Sequence, residues 1–340
     1  MGHLFIITHT DLDGAGSAAA ALIAYGRGID ESTILFAEPY NLDEVLSSLS
    51  GNLSSGDRIV VSDLGPNRDS IDNVLRLVEE FTSQGVAVDW YDHHIWPDEW
   101  QEAMRKAGVR LTIDTSTCAT GVVARYATKY NEAEYTEYLR ELESTVCAAD
   151  LWRWDHPLAP KLFRVADTRY NEGANEWRRK LIAKFSQGVL WDEELEEKLQ
   201  EYLNRELENF NKIISTTVVA EGECRVAAAF KERGPPANSF IGASLLSRYN
   251  ADIAVIIRGN GGLSLRSRGV NVQIIALSLG GGGHPRAAGA RLDVPLLVRL
   301  FGRLWRKAVP RYAARLVLKT AEDTGVCRGI GSEVESARMM

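Results

Sequence analysis

His9, Asp11 and Asp13 come straight after an apolar run, Leu4 to Ile7, and lead into an alanine-rich stretch, Ser17 to Ala24. The flanks predict strand, turn and helix, so an imidazole and two carboxylates leave one strand end together. Alternate residues on an extended strand share a face, which would let the three converge. Carboxylates crowded beside a histidine repel one another unless a cation neutralises them. The chain then supplies Asp63, Asp92-His93-His94 and Asp150. Taken singly, these residues have ordinary alternatives: a satisfied structural histidine, a helix-capping aspartate, a surface histidine pair. Taken together, they predict a site for two divalent metals. Mixed carboxylate and imidazole ligands without thiolates favour Mn2+, with Mg2+ or Co2+ as substitutes. Such a pair suits phosphoester hydrolysis. Neither a GxSxG elbow nor a GxxxxGK[ST] loop is present to suggest otherwise.

The elements that must hold these groups alternate. Strands are expected at Leu4–Thr8, Thr33–Ala37, Arg58–Ser62 and Val86–Tyr91, and helices at Ser17–Tyr25, Leu42–Leu49 and Ser70–Gln84. That rhythm predicts an α/β fold with a parallel sheet flanked by helices, with ligands beyond the carboxyl ends of the strands. Beyond Thr120 helices dominate: Thr120–Lys129, Tyr135–Ala148 and Asn175–Phe185. Leu195, Leu199, Leu203, Leu207 and Phe210 then recur at helical spacing in a charged connector. Strands return at Cys224–Ala229, Ile253–Arg258 and Gly262–Arg268, followed by a glycine run and a helix, Leu296–Val309. The expected divisions are a catalytic domain at 1–187, a helical connector at 188–214, a smaller α/β substrate-binding domain at 215–320 and a flexible tail at 321–340.

With 340 residues, 45% hydrophobic and 25% charged, the composition is that of an ordinary globular protein with a sizeable core. No apolar run is long enough to span a bilayer and no secretory signal is evident, so a cytoplasmic protein without a membrane partner is expected. Cys118, Cys147, Cys224 and Cys327 are scattered without a CxxC pair, which predicts buried free thiols rather than disulfides or a zinc knuckle. The net charge of −7 argues against wrapping long duplex nucleic acid, though not against a small phosphorylated substrate.

The order His9-x-Asp11-x-Asp13-Gly14, Asp63, Asp92-His93-His94, Asp150 closely resembles the four motifs of the DHH phosphoesterase superfamily. Gly280 to Gly283 followed by His284, Pro285, Arg286, Ala287, Ala288 and Gly289 resembles the GGGH motif of the DHH-associated C-terminal domain. Together they span roughly residues 3 to 310 and are similar to the nanoRNase and RecJ-like branch. The resemblance implies one metal on His9, Asp11 and Asp63, and another on Asp13, Asp63, His93 and Asp150, with Asp63 bridging. Asp92 would orient an imidazole and His94 would face the phosphate and leaving group. Within the second domain, Ser264, Arg266 and Arg268 alternate onto one face of a strand. The Ser-x-Arg-Ser segment Ser264 to Ser267 resembles one in the nanoRNase-like branch, and that resemblance implies capture of a terminal nucleotide's phosphate. Gly282, Gly283, His284 and Arg286 would approach the same ligand, the glycines by backbone and the start of a small-residue helix by its N–H groups; Arg258 is a further candidate. Trp152, Trp154 and Trp177 could stack bases, although core packing is the commoner fate of tryptophan.

The expected activity is metal-dependent hydrolysis of short single-stranded RNA or DNA oligonucleotides or related nucleotides, held between the domains. Di- to penta-length oligoribonucleotides lead, with 3′-phosphoadenosine 5′-phosphate plausible. A cyclic dinucleotide phosphodiesterase, a RecJ-like single-strand exonuclease and an inactive nucleotide-binding replication scaffold are the alternatives. A homodimer is a further partner option.

Overall fold

A computed structural model describes residues 2–167 and 173–327. They fall into two compact units that divide between Leu199 and Gln200, within the helix Glu193–Ser215.

The first unit is built on five parallel strands: β1 (Leu4–Thr8), β2 (Ser32–Phe36), β3 (Arg58–Ser62), β4 (Ala87–Asp92) and β5 (Arg110–Ile113). Their order across the sheet is β2-β1-β3-β4-β5. The chain runs to one side of β1 for β2 and to the other for β3, so the switch point lies between β1 and β3. Crossover loops diverge there and leave a crevice above the carboxyl ends. The strands are apolar because both faces are covered. Ile6, Ile7, Val60 and Val61 are fully buried, each side chain contributing about 1.5–3 kcal/mol. The helix Ile71–Ser83 packs through Val74, Leu77, Val78 and Phe81, a stripe of helical period.

Two sequence expectations shift here. The first helix begins at Leu12, not Ser17, with Asp11 as N-cap, its carboxylate accepting from Gly14 N at 3.0 Å. Asp13 is therefore in the first helical turn, and it reaches the site through a capped helix start rather than strand alternation. Gly14 permits this turn, because a Cβ there would sit 2.2 Å from the His9 carbonyl oxygen. The helix Asp98–Lys106 and strand β5 are not among the expected elements, since five of that helix's nine residues are charged and it buries only Met104.

The second unit carries a mixed sheet of β6 (Val218–Glu221), β7 (Arg225–Phe230), β8 (Ile253–Ile257), β9 (Gly262–Ser267), β10 (Gly282–His284) and β11 (Ala287–Arg291), in the order β10-β11-β9-β8-β7-β6. The expected helix start after the glycine run is instead a β-hairpin, with Gly283 opposite Ala288. Small residues here serve close strand approach. A Cβ on Gly281 would lie 2.1 Å from the Gly289 oxygen, and one on Gly283, whose φ is +131°, would lie 2.6 Å from Ala288 Cα. The C-terminal helix is also two helices, Leu296–Leu304 and Ala308–Asp323. The second runs past residue 320 with Ala321 buried, so the ordered chain extends into the expected tail. The rest of that tail, 328–340, lies outside the described residues.

The cysteines are paired, Cys118 with Cys147 and Cys224 with Cys327, correcting the free-thiol expectation. The partners are 29 and 103 residues apart, so tertiary packing brings them together and no local spacing announces it. No described helix is long and apolar enough to cross a membrane.

Candidate metal centre

The floor of the crevice is a buried hydroxyl network. Thr8 Oγ1 donates to the Gly14 carbonyl at 2.8 Å, and Ser17 Oγ meets Ser62 Oγ at 2.9 Å. These bonds tie β1, β3 and the first helix into one rigid base.

Above it the predicted acids and histidines converge. His9, Asp11 and Asp63 offer ligand atoms within 4.8 Å of one another, and so do Asp13, His93 and Asp150. His9 Nδ1 is 2.9 Å from Asp11 Oδ2 and 3.5 Å from Asp63 Oδ2. His93 Nε2 is 3.5 Å from Asp63 Oδ1, 3.7 Å from Asp150 Oδ2 and 3.8 Å from Asp13 Oδ2. The two oxygens of Asp63 thus face different clusters. Asp63 follows β3 in a left-handed conformation, φ +59°, uncommon for a residue with a side chain. Its Oδ2 is buried with no hydrogen-bond partner among the described residues. An orphaned carboxylate oxygen facing other acids fits a divalent cation.

The electrostatics agree. Burial, then the charges of Asp11 and Asp13, push the Asp63 carboxyl well up. Burial and the charges of Asp13 and Asp63 push Asp150 up to about 8. Burial raises Asp13 despite His93 and Thr120. Burial opposes charge on His9 too, but Asp11, Asp63 and Glu38 outweigh it and its pKa rises. Without added positive charge, the four aspartates cannot all ionise together.

Outer partners fix these candidate ligands, and several of the partners carry no signal in the sequence. Glu38, just past β2, faces His9 Nε2 at 3.2 Å and accepts from Thr10 Oγ1. Asp13 accepts from the backbone of Ala119 and Thr120 at 2.7 and 2.8 Å, and from Thr120 Oγ1 at 2.6 Å. Buried Arg178 donates to the Thr10 carbonyl at 2.6 Å. Glu38 had a legible signal, an acid beyond a fourth strand end. Arg178 had none, lying 168 residues from its partner.

Asp92 is fully buried at the end of β4, between His94 Nδ1 at 2.8 Å and Trp96 Nε1 at 2.7 Å. Burial opposes its ionisation, yet His94 and Trp96 hold its pKa low, and the same pairing raises that of His94. The His94 side chain remains about half exposed. Trp152 and Trp154 stack edge to face on each other and on Phe163, just beyond Asp150, both with φ +59°. Trp177 instead donates to the Val165 carbonyl.

The second unit gathers Ser264 and Arg266 on one face of β9, with Leu263, Leu265 and Ser267 buried on the other. Asn238 Nδ2 donates to Ser264 Oγ at 2.9 Å, and Arg266 reaches the Ser239 hydroxyl at 3.3 Å. A Cβ on Gly242 would meet Arg266 Cγ at 2.6 Å, so that glycine makes room for the arginine. Ser267 does not join them; its hydroxyl donates to the Val270 carbonyl. Arg268 lies beyond the strand and is exposed. His284 and Arg286 are exposed on the hairpin, and Gly282 has open space around it.

The switch point of a parallel sheet thus collects paired carboxylate and imidazole clusters able to hold divalent cations. Residues 225–302 match the DHHA1 domain family. The chain is 24% identical over 314 residues to the oligoribonuclease NrnB of Bacillus subtilis, covering 86% of this chain and 73% of that one. Its fold is similar to the pGpG-specific phosphodiesterase PggH of Vibrio cholerae, at 16% identity and TM-score 0.55, covering 90% of this chain and 98% of that one. It is also similar to RecJ of Thermus thermophilus, solved with Mn2+, at 16% identity and TM-score 0.52, covering 92% of this chain and 52% of that one. The chain is thus similar to phosphoester-hydrolysing proteins of the DHH type: its second unit matches the DHHA1 family, and its fold is that of the solved PggH and RecJ structures.

Proposed function

We propose that the protein hydrolyses phosphodiester bonds of short oligonucleotides, with di- to penta-length RNA as the leading substrate. The observation that carries this reading is the Asp63 carboxylate, one oxygen toward His9 and the other toward His93. Two divalent cations would be held by His9, Asp11 and Asp63, and by Asp13, Asp63, His93 and Asp150. When bound, they supply Lewis acidity and acidify water near neutral pH. Manganese suits the oxygen and imidazole donors, and the RecJ neighbour was solved with it.

Around that centre the first unit's own residues position and polarise. Glu38 fixes the His9 ring, and the Ala119 and Thr120 amides hold Asp13 in place. Ionised Asp92 keeps the proton on His94 Nδ1 and aims the opposite edge of the ring at the phosphate and leaving oxygen. Trp152 and Trp154 offer an aromatic wall for a base next to Asp150. Taken by itself, the second unit supplies donors for a terminal phosphate in Ser264, Arg266, His284 and Arg286, Arg266 as a planar fork. The backbone at Gly282 and Gly283 can approach that ligand closely.

The short-substrate reading draws support from the relatives that act on small nucleotides, an oligoribonuclease and a pGpG phosphodiesterase. A cytoplasmic site suits RNA fragments, whereas two disulfides are unusual in a reducing compartment. A manganese-supported digestion panel tests the proposal. It compares end-labelled RNA and DNA from two to about twenty nucleotides, cyclic dinucleotides and 3′-phosphoadenosine 5′-phosphate. Fastest turnover of di- to pentaribonucleotides is expected. Rates that rise with strand length, or faster turnover of cyclic dinucleotides, would replace this substrate choice. No hydrolysis of any ester with ligands still bound would favour a scaffold.

A further inference from the structure

Within the second unit, the groups proposed to hold substrate lie toward one end of the sheet. Arg266 on β9 pairs with Ala287, and Ala287 with His284 on the hairpin. Four residues back along β9, about 13 Å at strand rise, Gly262 marks the other end. A cavity of about 620 Å³ opens there, a volume typical of sites for small molecules and cofactors.

Its walls carry Lys212, Arg233, Arg258, Arg299 and Arg306, with Glu232 as the one acid. Five cations against one carboxylate is a local inversion in a chain of net charge −7. They come from four separate places: the end of the connector helix, the loop after β7, the end of β8, and the helix Leu296–Leu304 with the turn after it. Among the described residues, Lys212, Arg233, Arg299 and Arg306 form no ion pair. Solvated arginines normally spread over convex surface, where their mutual repulsion is screened. Here they converge on a concavity whose remaining lining includes Phe230, Ile213, Val294 and Val309. Guanidinium forks suit phosphate oxygens, an aromatic ring suits a base, and a lone carboxylate can accept from a sugar hydroxyl.

We propose that this cavity is a second ligand site, for a nucleotide bearing two or more phosphates, distinct from the metal centre. It does not depend on the catalytic assignment, since no metal ligand lines it. Arg299, Arg306 and Lys212 would grip the phosphates, with the base against Phe230.

Fluorescence anisotropy of methylanthraniloyl-ATP on the full chain, in chelator so that the metal centre holds no phosphate, tests the site. Saturable binding at one nucleotide per chain is expected, with AMP competing at least about tenfold less well than ATP. Arg299→Glu combined with Arg306→Glu should weaken binding at least about tenfold, each lost charge-assisted contact contributing about that much. The double variant should keep its melting temperature and its manganese-supported rate on a chromogenic phosphodiester. Lys212→Glu should weaken binding in the same sense, and Asp63→Ala should leave it intact. Absence of saturation at millimolar nucleotide, or indifference to both charge reversals, would overturn the site. Equal competition by pyrophosphate would overturn the nucleotide assignment. Equal competition by a linear pentaribonucleotide would overturn the separate-ligand reading in favour of an extended substrate track.

Discussion

The two units handle charge in opposite ways. In the first, carboxylates are turned inward at the switch point, where Asp13 and Asp63 are 1% and 3% exposed and lack sufficient counter-charge of their own. In the second, arginines are turned outward, and Arg266 lies over a glycine with its polar end on backbone and a serine hydroxyl. A buried acid cluster is a chemical instrument, because its energy depends steeply on what neutralises it. A semi-exposed basic groove is a gripping surface, screened by water and tolerant of small changes. Loss of a group should therefore hit the chemical step in the first unit and substrate capture in the second.

The largest expected effect is at Asp63. Asp63→Ala should lower kcat about a thousandfold or more, the scale of losing a central electrostatic group. Metal titration by calorimetry should show weaker occupancy at both clusters. Full activity in that variant would remove the bridging assignment. Next, Glu38→Gln should weaken metal binding by about ten- to a hundredfold, as a carboxylate behind a ligand histidine does. Saturating manganese should largely restore kcat; a loss that manganese cannot rescue would place Glu38 in the chemical step instead.

Arg266→Ala is predicted to raise KM for short oligonucleotides about tenfold, one charge-assisted contact, while sparing a chromogenic diester. Equal losses on both substrates would erase the contrast between the units. The smallest effect is on stability. Asp150 has a carboxyl raised from its ordinary value near 3.8 to about 8 in the folded chain. The folded state then binds more protons than the unfolded state between those values, so stability of the metal-free protein falls as pH rises toward about 8. Manganese should reverse this trend, because it binds the ionised form. A melting temperature in chelator that climbs from pH 5 to pH 8 would contradict the shift.

Much of the first unit was legible because its chemistry is local. β1, β3 and β4 lead into His9, Asp63 and Asp92-His93-His94, each readable as an apolar run followed by acids or histidines. The second unit was less legible because its hairpin is glycine and alanine, residues without a decisive period. Gly281 and Gly283 signal close approach, and the sequence does not say whether a strand or a ligand is approaching. Asp13 belongs to the first helix and not to a strand end, two positions that look alike in sequence until the helix start is known.

Residue types and their order along the chain alone determined the set of acids and histidines, the parallel sheet that gathers them and the family they resemble. Tertiary structure alone decided which oxygen of Asp63 faces which cluster, that Glu38 and Thr120 stand behind the ligands, and that four cysteines pair across 29 and 103 residues. It also decided that cations from distant segments line one cavity. The physical reason is range. Strand and helix periods are written in near neighbours, whereas coordination, charge neutralisation and crosslinking depend on distances that exist only once the chain has closed on itself.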